Sequence, residues 1–319
     1  MKIIGTGSSS PSLTVSNDML ATFLDTSDEW IQTRTGIKTR QVISTERLED
    51  LAAQACSIAI HEAGIKAEDL DYIICSNTLN EYVTPALSCI LQGMLGADCP
   101  CIDLNGACAG FIYALDMADA LFERGNMEHI LVVCAEEPTR MVDWTKRDTC
   151  VLFGDGAGAV VLGKGEGFKS FKLSTFSNTE ALYQIRKLQD TPFIKREETE
   201  GNGALVMKGQ DVFKLAVNCS LNDIKDVLKL AGVKADEIDH YLLHQANMRI
   251  LDTIMRYLGQ SEKNFPHNIE RYGNTSSASI PMLLDELNKN NKLKTGQKLV
   301  FSAFGAGFTT GACLLEWTM

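Results

Sequence analysis

The chain has 319 residues, 45% of them hydrophobic and 22% charged, which is enough apolar material for two ordinary domains or one large α/β unit. A formal net charge of -11 excludes a broad basic surface for nucleic acid, and aromatic residues are not interleaved with basic ones as RNA recognition requires. The sequence shows neither a signal-like apolar segment at its start nor an uncharged run long enough to span a bilayer, so a cytoplasmic protein without a membrane partner is expected.

The first strong period lies in "RLEDLAAQACSIAIHEAG", where Leu48, Leu51, Ala52, Ala55, Ile58 and Ala59 recur at three- and four-residue steps before Gly64, and a helix is predicted. "DYIICS" reads as a buried strand, "PALSCILQGMLG" as a second helix and "CIDL" as a short strand. An apolar helix follows over Ala109 to Glu123, and then the strand "HILVVCA". Strand and helix alternate, which predicts a mostly parallel sheet covered on both faces. The ten cysteines are scattered, several of them in apolar strands, so they read as core thiols rather than a disulfide framework. Cys99 and Cys101 form a lone CxC with no second pair, and no metal site is expected.

The second half repeats the first. "AGIKAEDLD" at 63 to 71 and "AGVKADEID" at 231 to 239 share five of nine residues at an offset of 168, each after an amphipathic helix and before a short apolar strand. The same offset carries Cys108 to Ser276, and a Gly-rich turn recurs in "FGDGAGAVVLG" and "FGAGFTTGACLLEW". Two duplicated α/β halves are expected, residues 1–164 and 165–319, with a site where strand ends and helix starts converge. The polar stretch at 165 to 208 has no sustained period and reads as a surface excursion or lid between the repeats.

Cys108, in "LNGACAGF", falls at a predicted strand-to-helix turn, where free backbone N–H groups favour an anion and would lower a thiol pKa. Small neighbours leave room for a substrate. On this feature alone a packing cysteine is an equal reading. His244 in "LLHQANMR" and Asn274 in "RYGNTSSAS" stand at matching positions of the second repeat, and together with Cys108 they make a nucleophilic constellation. His61, His129, His240 and His267 read as structural.

The ordered motifs "NGACAGF", "HQANMRI", "RYGNTSSASIP" and "AFGAGFTTGA" resemble those of β-ketoacyl-acyl-carrier-protein synthase III, the initiating condensing enzyme of the thiolase superfamily. The likeness runs from "TSDEWIQTRTGI" at 26 to 37 through the last strand and leaves mainly 165 to 208 unmatched. It implies a five-layered αβαβα thiolase-like fold and a homodimer, with acyl-CoA and malonyl-acyl-carrier protein as substrates and no cofactor. Cys108 would carry the acyl group, His244 and Asn274 would hydrogen-bond the malonyl thioester carbonyl, and the backbone N–H groups of Cys108 and Ala306 would form the oxyanion hole. Ala306 departs from a glycine common in the family, a mild change because the contribution comes from the backbone. CoA would lie against Trp30, Arg34, Arg147 and Arg249, with Thr26 and Asn247 nearby. Without the resemblance Trp30 is an ordinary residue of an amphipathic helix.

Lys214, Arg249 and Arg256 are expected to meet the acidic carrier, although Lys214 and Arg256 also read as solvated helix-face charges. Thr84 stands where many relatives carry Phe and would enlarge the acyl pocket of the dimer partner. Among relatives, elongating ketosynthases look like Cys-His-His enzymes, and thiolases use a second cysteine where this chain has only Cys313 inside a predicted strand. A hydroxymethylglutaryl-CoA synthase would need a glutamate base, for which Glu81 is the nearby candidate, and an acyltransferase of specialised metabolism is a further alternative. An NAD-dependent oxidoreductase is suggested only by "GDGAGA" at 154 to 159, which is expected to run on into a strand rather than open a helix. A non-catalytic chain-length-factor-like partner would lack Cys108.

Overall fold

A computed structural model describes residues 1–186, 191–193 and 203–319. Strand β1 (Lys2–Ser9) leads to β2 (Leu13–Ser16), α1 (Asn17–Ala21) and α2 (Asp28–Thr35). The Ser27 hydroxyl caps α2 by accepting the Trp30 N–H at 3.1 Å, and Gly36 closes it at φ 79°. After β3 (Thr39–Val42) comes the periodic helix, α3 (Leu48–Glu62), with Leu48, Leu51, Ala52, Ala55, Cys56, Ala59 and Ile60 buried along one face. Each large aliphatic side chain buried this way contributes about 2 kcal/mol. A Cβ at Gly7 would stand 2.1 Å from the Ala55 carbonyl oxygen, so glycine in β1 is what lets α3 lie this close to the sheet. The first half continues through β4 (Tyr72–Ser76), α4 (Leu87–Leu95), β5 (Cys101–Leu104), α5 (Gly110–Glu123), β6 (His129–Glu136), α6 (Arg147–Cys150) and β7 (Gly156–Gly163).

The rest comprises β8 (Phe168–Asn178), β9 (Leu182–Tyr183), β10 (Val206–Met207), α7 (Gly209–Ala231), β11 (His240–Leu243), α8 (Met248–Tyr257) and α9 (Ile269–Tyr272). It ends with α10 (Ser279–Lys289), β12 (Lys298–Gly305) and β13 (Gly307–Glu316). Five strands form one sheet in the order β1-β7-β6-β4-β5, and four form a second in the order β11-β12-β13-β8. Along β6, Ile130, Val132 and Cys134 join the core shared with α5 and α10, while Leu131, Val133 and Ala135 join the core under α3 and α4. The second sheet packs α5 and α10 on one face and α7 and α8 on the other. The layers therefore run α3/α4, sheet, α5/α10, sheet, α7/α8, which is the expected αβαβα sandwich.

Two expectations change. The sheets are mixed rather than mostly parallel: β4 pairs parallel with β5 and β6, but β7 is antiparallel to both β6 and β1. In the second sheet only β11 and β12 run parallel. A parallel pair needs a crossover element, and β12 and β13 are separated by one residue, which forces a hairpin. The excursion at 165 to 208 also begins inside the fold, because Phe168–Asn178 is the edge strand of the second sheet. None of its residues is fully buried, so no hydrophobic alternation marked it. The small β9–β10 ribbon follows, and the remainder of that reading, 187–190 and 194–202, lies outside the described residues.

The sheets repeat one another in strand direction. The run β4-β6-β7-β1 pairs parallel, antiparallel, antiparallel, and so does β11-β12-β13-β8. In each, a 3₁₀ turn leads into the middle-layer helix: Ala107–Ala109 into α5, and Ser276–Ala278 into α10. Their offset is 169 rather than 168, and the left-handed residues Ala107 (φ 47°) and Ser276 (φ 53°) match. The position equivalent to Cys108 is thus Ser277, a one-residue correction to the sequence alignment.

Candidate active site

Cys108 sits in the turn before α5, at the floor of a cavity of about 680 Å³. Gly305, at the tip of the β12–β13 hairpin, presses on that turn: a Cβ there would come within 2.6 Å of the Cys108 backbone nitrogen. Only glycine permits this approach, and it brings Ala306 to the same cavity wall as Cys108. The Thr309 hydroxyl pins the hairpin by donating to the Gly106 carbonyl at 2.7 Å. The expected lowering of the thiol pKa is not what the surroundings give. Burial pushes the Cys108 thiol up to about 12; the Ser276 hydroxyl, donating to Sγ at 3.4 Å, pulls it back, and Glu136 adds to the rise. Desolvation outweighs the favourable turn.

His244 follows β11 and is buried, its N–H bonded to the Ser302 carbonyl at 2.9 Å. Burial holds its imidazole near pKa 3, so it is neutral at physiological pH. Its Nδ1 lies 2.7 Å from the Ser279 hydroxyl oxygen, which also accepts the Gln245 N–H at 3.3 Å. The Ser279 hydroxyl can donate to Nδ1, and in that arrangement the ring hydrogen is on Nε2. The edge of Phe304 packs on the ring with centroids 5.4 Å apart. Asn274 is held by its backbone between Leu152 and Gly154 at 2.8 and 3.1 Å. Its Oδ1 accepts the Ser276 N–H at 2.8 Å, which leaves the Nδ2 hydrogens for the cavity. The floor thus presents a thiol, a neutral imidazole and an amide.

Trp30, Arg34, Arg147, Asn247, Arg249 and Lys214 line the same cavity toward its mouth. The Arg34 and Arg147 guanidinium groups lie over the Trp30 ring at 4.5 and 4.8 Å. Arg147 also bonds the Asp25 carbonyl and lies 3.3 Å from the Asp25 carboxylate. Asn247 has both ends of its amide engaged, Oδ1 capping α8 at the Arg249 N–H and Nδ2 donating to the Arg34 carbonyl at 3.1 Å. It therefore joins the two helices that carry the arginines. Arg256 borders an adjoining groove that shares Phe213 and Arg249 with the main cavity.

Besides Arg256, three residues named from the sequence do not line the cavity. Thr26 has its hydroxyl buried without a partner, Thr84 is exposed in the segment before α4, and Glu81 is exposed, 3.6 Å from Arg47. The four other histidines also stand away from it. The "GDGAGA" segment runs into β7 and opens no helix, which removes the dinucleotide reading. The sequence reading missed Ser279, which hydrogen-bonds His244 Nδ1, and Glu136, buried behind Ser276. A strand-end glutamate in "CAEEPT" and a helix-start serine carry no periodic signal, and only the fold brings them to the site.

A thiol, a neutral imidazole and an amide at the base of a cation-rimmed cavity, in an αβαβα sandwich, define a thiolase-fold acyl-transferring enzyme. A family model for 3-oxoacyl-(acyl-carrier-protein) synthase III matches residues 102–178, and the model for the C-terminal part of that family matches 228–317. A Clostridium acetobutylicum protein named β-ketoacyl-(acyl-carrier-protein) synthase III is 40% identical, covering 100% of this chain and 99% of that one. One of the same name from Xanthomonas campestris pv. campestris is 41% identical over 99% and 98%. The crystal structure of 3-oxoacyl-(acyl-carrier-protein) synthase III from Aquifex aeolicus VF5 superposes with a TM-score of 0.93 at 39% identity, covering 99% of each chain. The chain belongs to the β-ketoacyl-acyl-carrier-protein synthase III family.

Proposed function

We propose that the protein initiates fatty-acid synthesis as a β-ketoacyl-acyl-carrier-protein synthase III, condensing an acyl-CoA starter with malonyl-acyl-carrier protein. The observation that carries this reading is the single cavity joining Cys108, His244 and Asn274 to a rim of Trp30, Arg34, Arg147 and Arg249. CoA enters along the rim, its phosphates meeting guanidinium groups and its base the Trp30 face. Cys108 attacks the thioester carbonyl while the amides of Cys108 and Ala306 hold the developing oxyanion. CoA leaves and a Cys108 thioester remains.

Malonyl-acyl-carrier protein then binds with its thioester carbonyl against His244 Nε2–H and Asn274 Nδ2–H. These donors stabilise the enolate as CO2 departs, and the carbanion attacks the Cys108 thioester, releasing β-ketoacyl-carrier protein and the free thiol. Neutral donors suit this step because an already formed imidazolium would be costly to bury. The chemistry uses no metal or redox cofactor. The carrier docks on Lys214, Arg249 and Arg256, and two copies pair so that Thr84 of each reaches the other's acyl pocket. The functional division follows residues 1–164, which carry the nucleophile, and 165–319, which carry the donors. We place the enzyme in the cytoplasm, where its ten free thiols stay reduced; no helix among the described residues is long and apolar enough to cross a membrane.

Intact-mass analysis after incubation with a panel of acyl-CoAs tests the first step. One acyl adduct, mapping to Cys108 and absent from Cys108→Ser, is expected. An adduct that maps to another cysteine or survives the substitution overturns the assignment.

A further inference from the structure

Behind the nucleophile stands a buried carboxyl group that the two half-reactions above do not use. Glu136 ends β6 at 1% exposure and does not line the cavity. Its Oε1 accepts the hydroxyls of Ser277 at 2.6 Å, Ser276 at 3.2 Å and Thr78 at 3.3 Å, and its Oε2 accepts the Thr78 N–H at 3.2 Å. Ser276 Oγ is also 3.4 Å from Cys108 Sγ. Its one proton cannot serve both neighbours. When Ser276 donates to Glu136, its oxygen is free to accept the Cys108 S–H; when it donates to a Cys108 thiolate, Glu136 must supply the proton to Ser276. Ser277 takes no part in this exchange, since it donates to Glu136 and accepts from Ser76 at 3.0 Å. The titratable groups facing Glu136 are the thiols of Cys75 on β4, Cys134 on β6 and Cys108, and no ion pair reaches it among the described residues.

We infer that Glu136, through the Ser276 hydroxyl, takes up the Cys108 proton as the thiol attacks acyl-CoA and returns it to the departing CoA sulfur. The inference rests on the function proposed above. Two protons move in concert: the S–H bond breaks as Ser276 gains a proton, and the original Ser276 O–H breaks as Glu136 Oε1 gains one. The sulfur–acyl bond then forms, the acyl–CoA bond breaks, and the reverse transfer protonates the CoA thiolate. Ser276, in contact with the reacting sulfur, is a catalytic residue, and Glu136 is a positioning residue that stores the proton. His244 is unsuited to the task, because burial resists its protonation. Burial pushes the Glu136 carboxyl up to about 7 while the thiol lies at about 12, so the proton rests on sulfur between turnovers. A base near the working pH is the most effective acceptor during attack.

Alkylation of Cys108 by iodoacetamide, followed by mass from pH 5.5 to 9, reads this transfer without any acyl-CoA. The wild-type rate is expected to rise through about pH 7 as Glu136 ionises and then to level. Glu136→Gln should lose that step and react on the order of 10-fold or more slowly at pH 7.5. Glu136→Asp should retain a step, and Ser276→Ala should match the Gln variant, with no further loss in the double variant. Superimposable pH profiles for wild type and Glu136→Gln would overturn the relay, as would additive losses in the double variant; if the Gln variant does not fold, the profile of Ser276→Ala decides. A parallel acylation series with acyl-CoA should show the same ratio. Failure of every form to acylate, with the alkylation step intact, would reject the proposed substrate and leave the relay standing.

Discussion

The turns before α5 and α10 share a backbone and differ in what they offer. Each is a 3₁₀ turn entered through a left-handed residue, Ala107 in one and Ser276 in the other, and each feeds a helix of the middle layer. The first turn presents a thiol among small residues. The second presents hydroxyls and, one step earlier, the Asn274 amide, and its Ser276 reaches across to the thiol at 3.4 Å. A duplicated backbone places both turns at one cavity, and the proposed function has their side chains divide the reaction between the copies. On the function proposed above, the first half would hold the acyl group, and the second would handle the malonyl thioester and its carrier while lending Ser276 to the thiol.

The strongest way to break this division is to remove donors from the second half alone. His244→Ala and Asn274→Ala should each slow malonyl decarboxylation on the order of 10²-fold or more while leaving Cys108 acylation nearly intact. Separate assays of the two steps check this, and a variant that loses acylation instead would erase the division. A smaller effect is expected at the mouth. Lys214→Glu with Arg256→Glu should raise KM for malonyl-acyl-carrier protein about 10-fold, less at high salt, and spare acyl-CoA. An unchanged KM would confine carrier docking to other cations. The smallest effect sharpens the first half's share: Thr84→Phe should shift specificity toward short starters, with each excluded CH₂ worth about 0.8 kcal/mol. Specificity constants for acetyl-, isobutyryl-, hexanoyl- and octanoyl-CoA measure it, and identical profiles would remove Thr84 from the pocket.

Much of this was legible in the sequence, for stated physical reasons. The period of α3 follows from its buried stripe, and the short apolar runs of β4 and β6 from burial on both faces. Cys108, His244 and Asn274 were found because each follows a strand or precedes a helix in a small-residue motif, and the cavity holds all three. Edge strand β8 was lost because burial, the source of alternation, is incomplete along it. The sign of the Cys108 shift was misjudged because a turn is visible in sequence, whereas the desolvation opposing it comes from residues distant in the chain. For the same reason Glu136 was invisible as a partner of Ser276, 140 positions away. The one-residue slip between the copies required the turns themselves, since the nine-residue match lies before the insertion.

The middle helical layer carries a further consequence, for cooperativity. α5 and α10 lie between two sheets and belong to one core that includes Ile74 and Val132 of the first sheet and Phe301 and Leu315 of the second. Neither sheet can separate without stripping the cover from the helices that hold Cys108 and the Ser276 turn. The site therefore rests on the core that both sheets share, and heat should abolish acylation together with global unfolding rather than ahead of it.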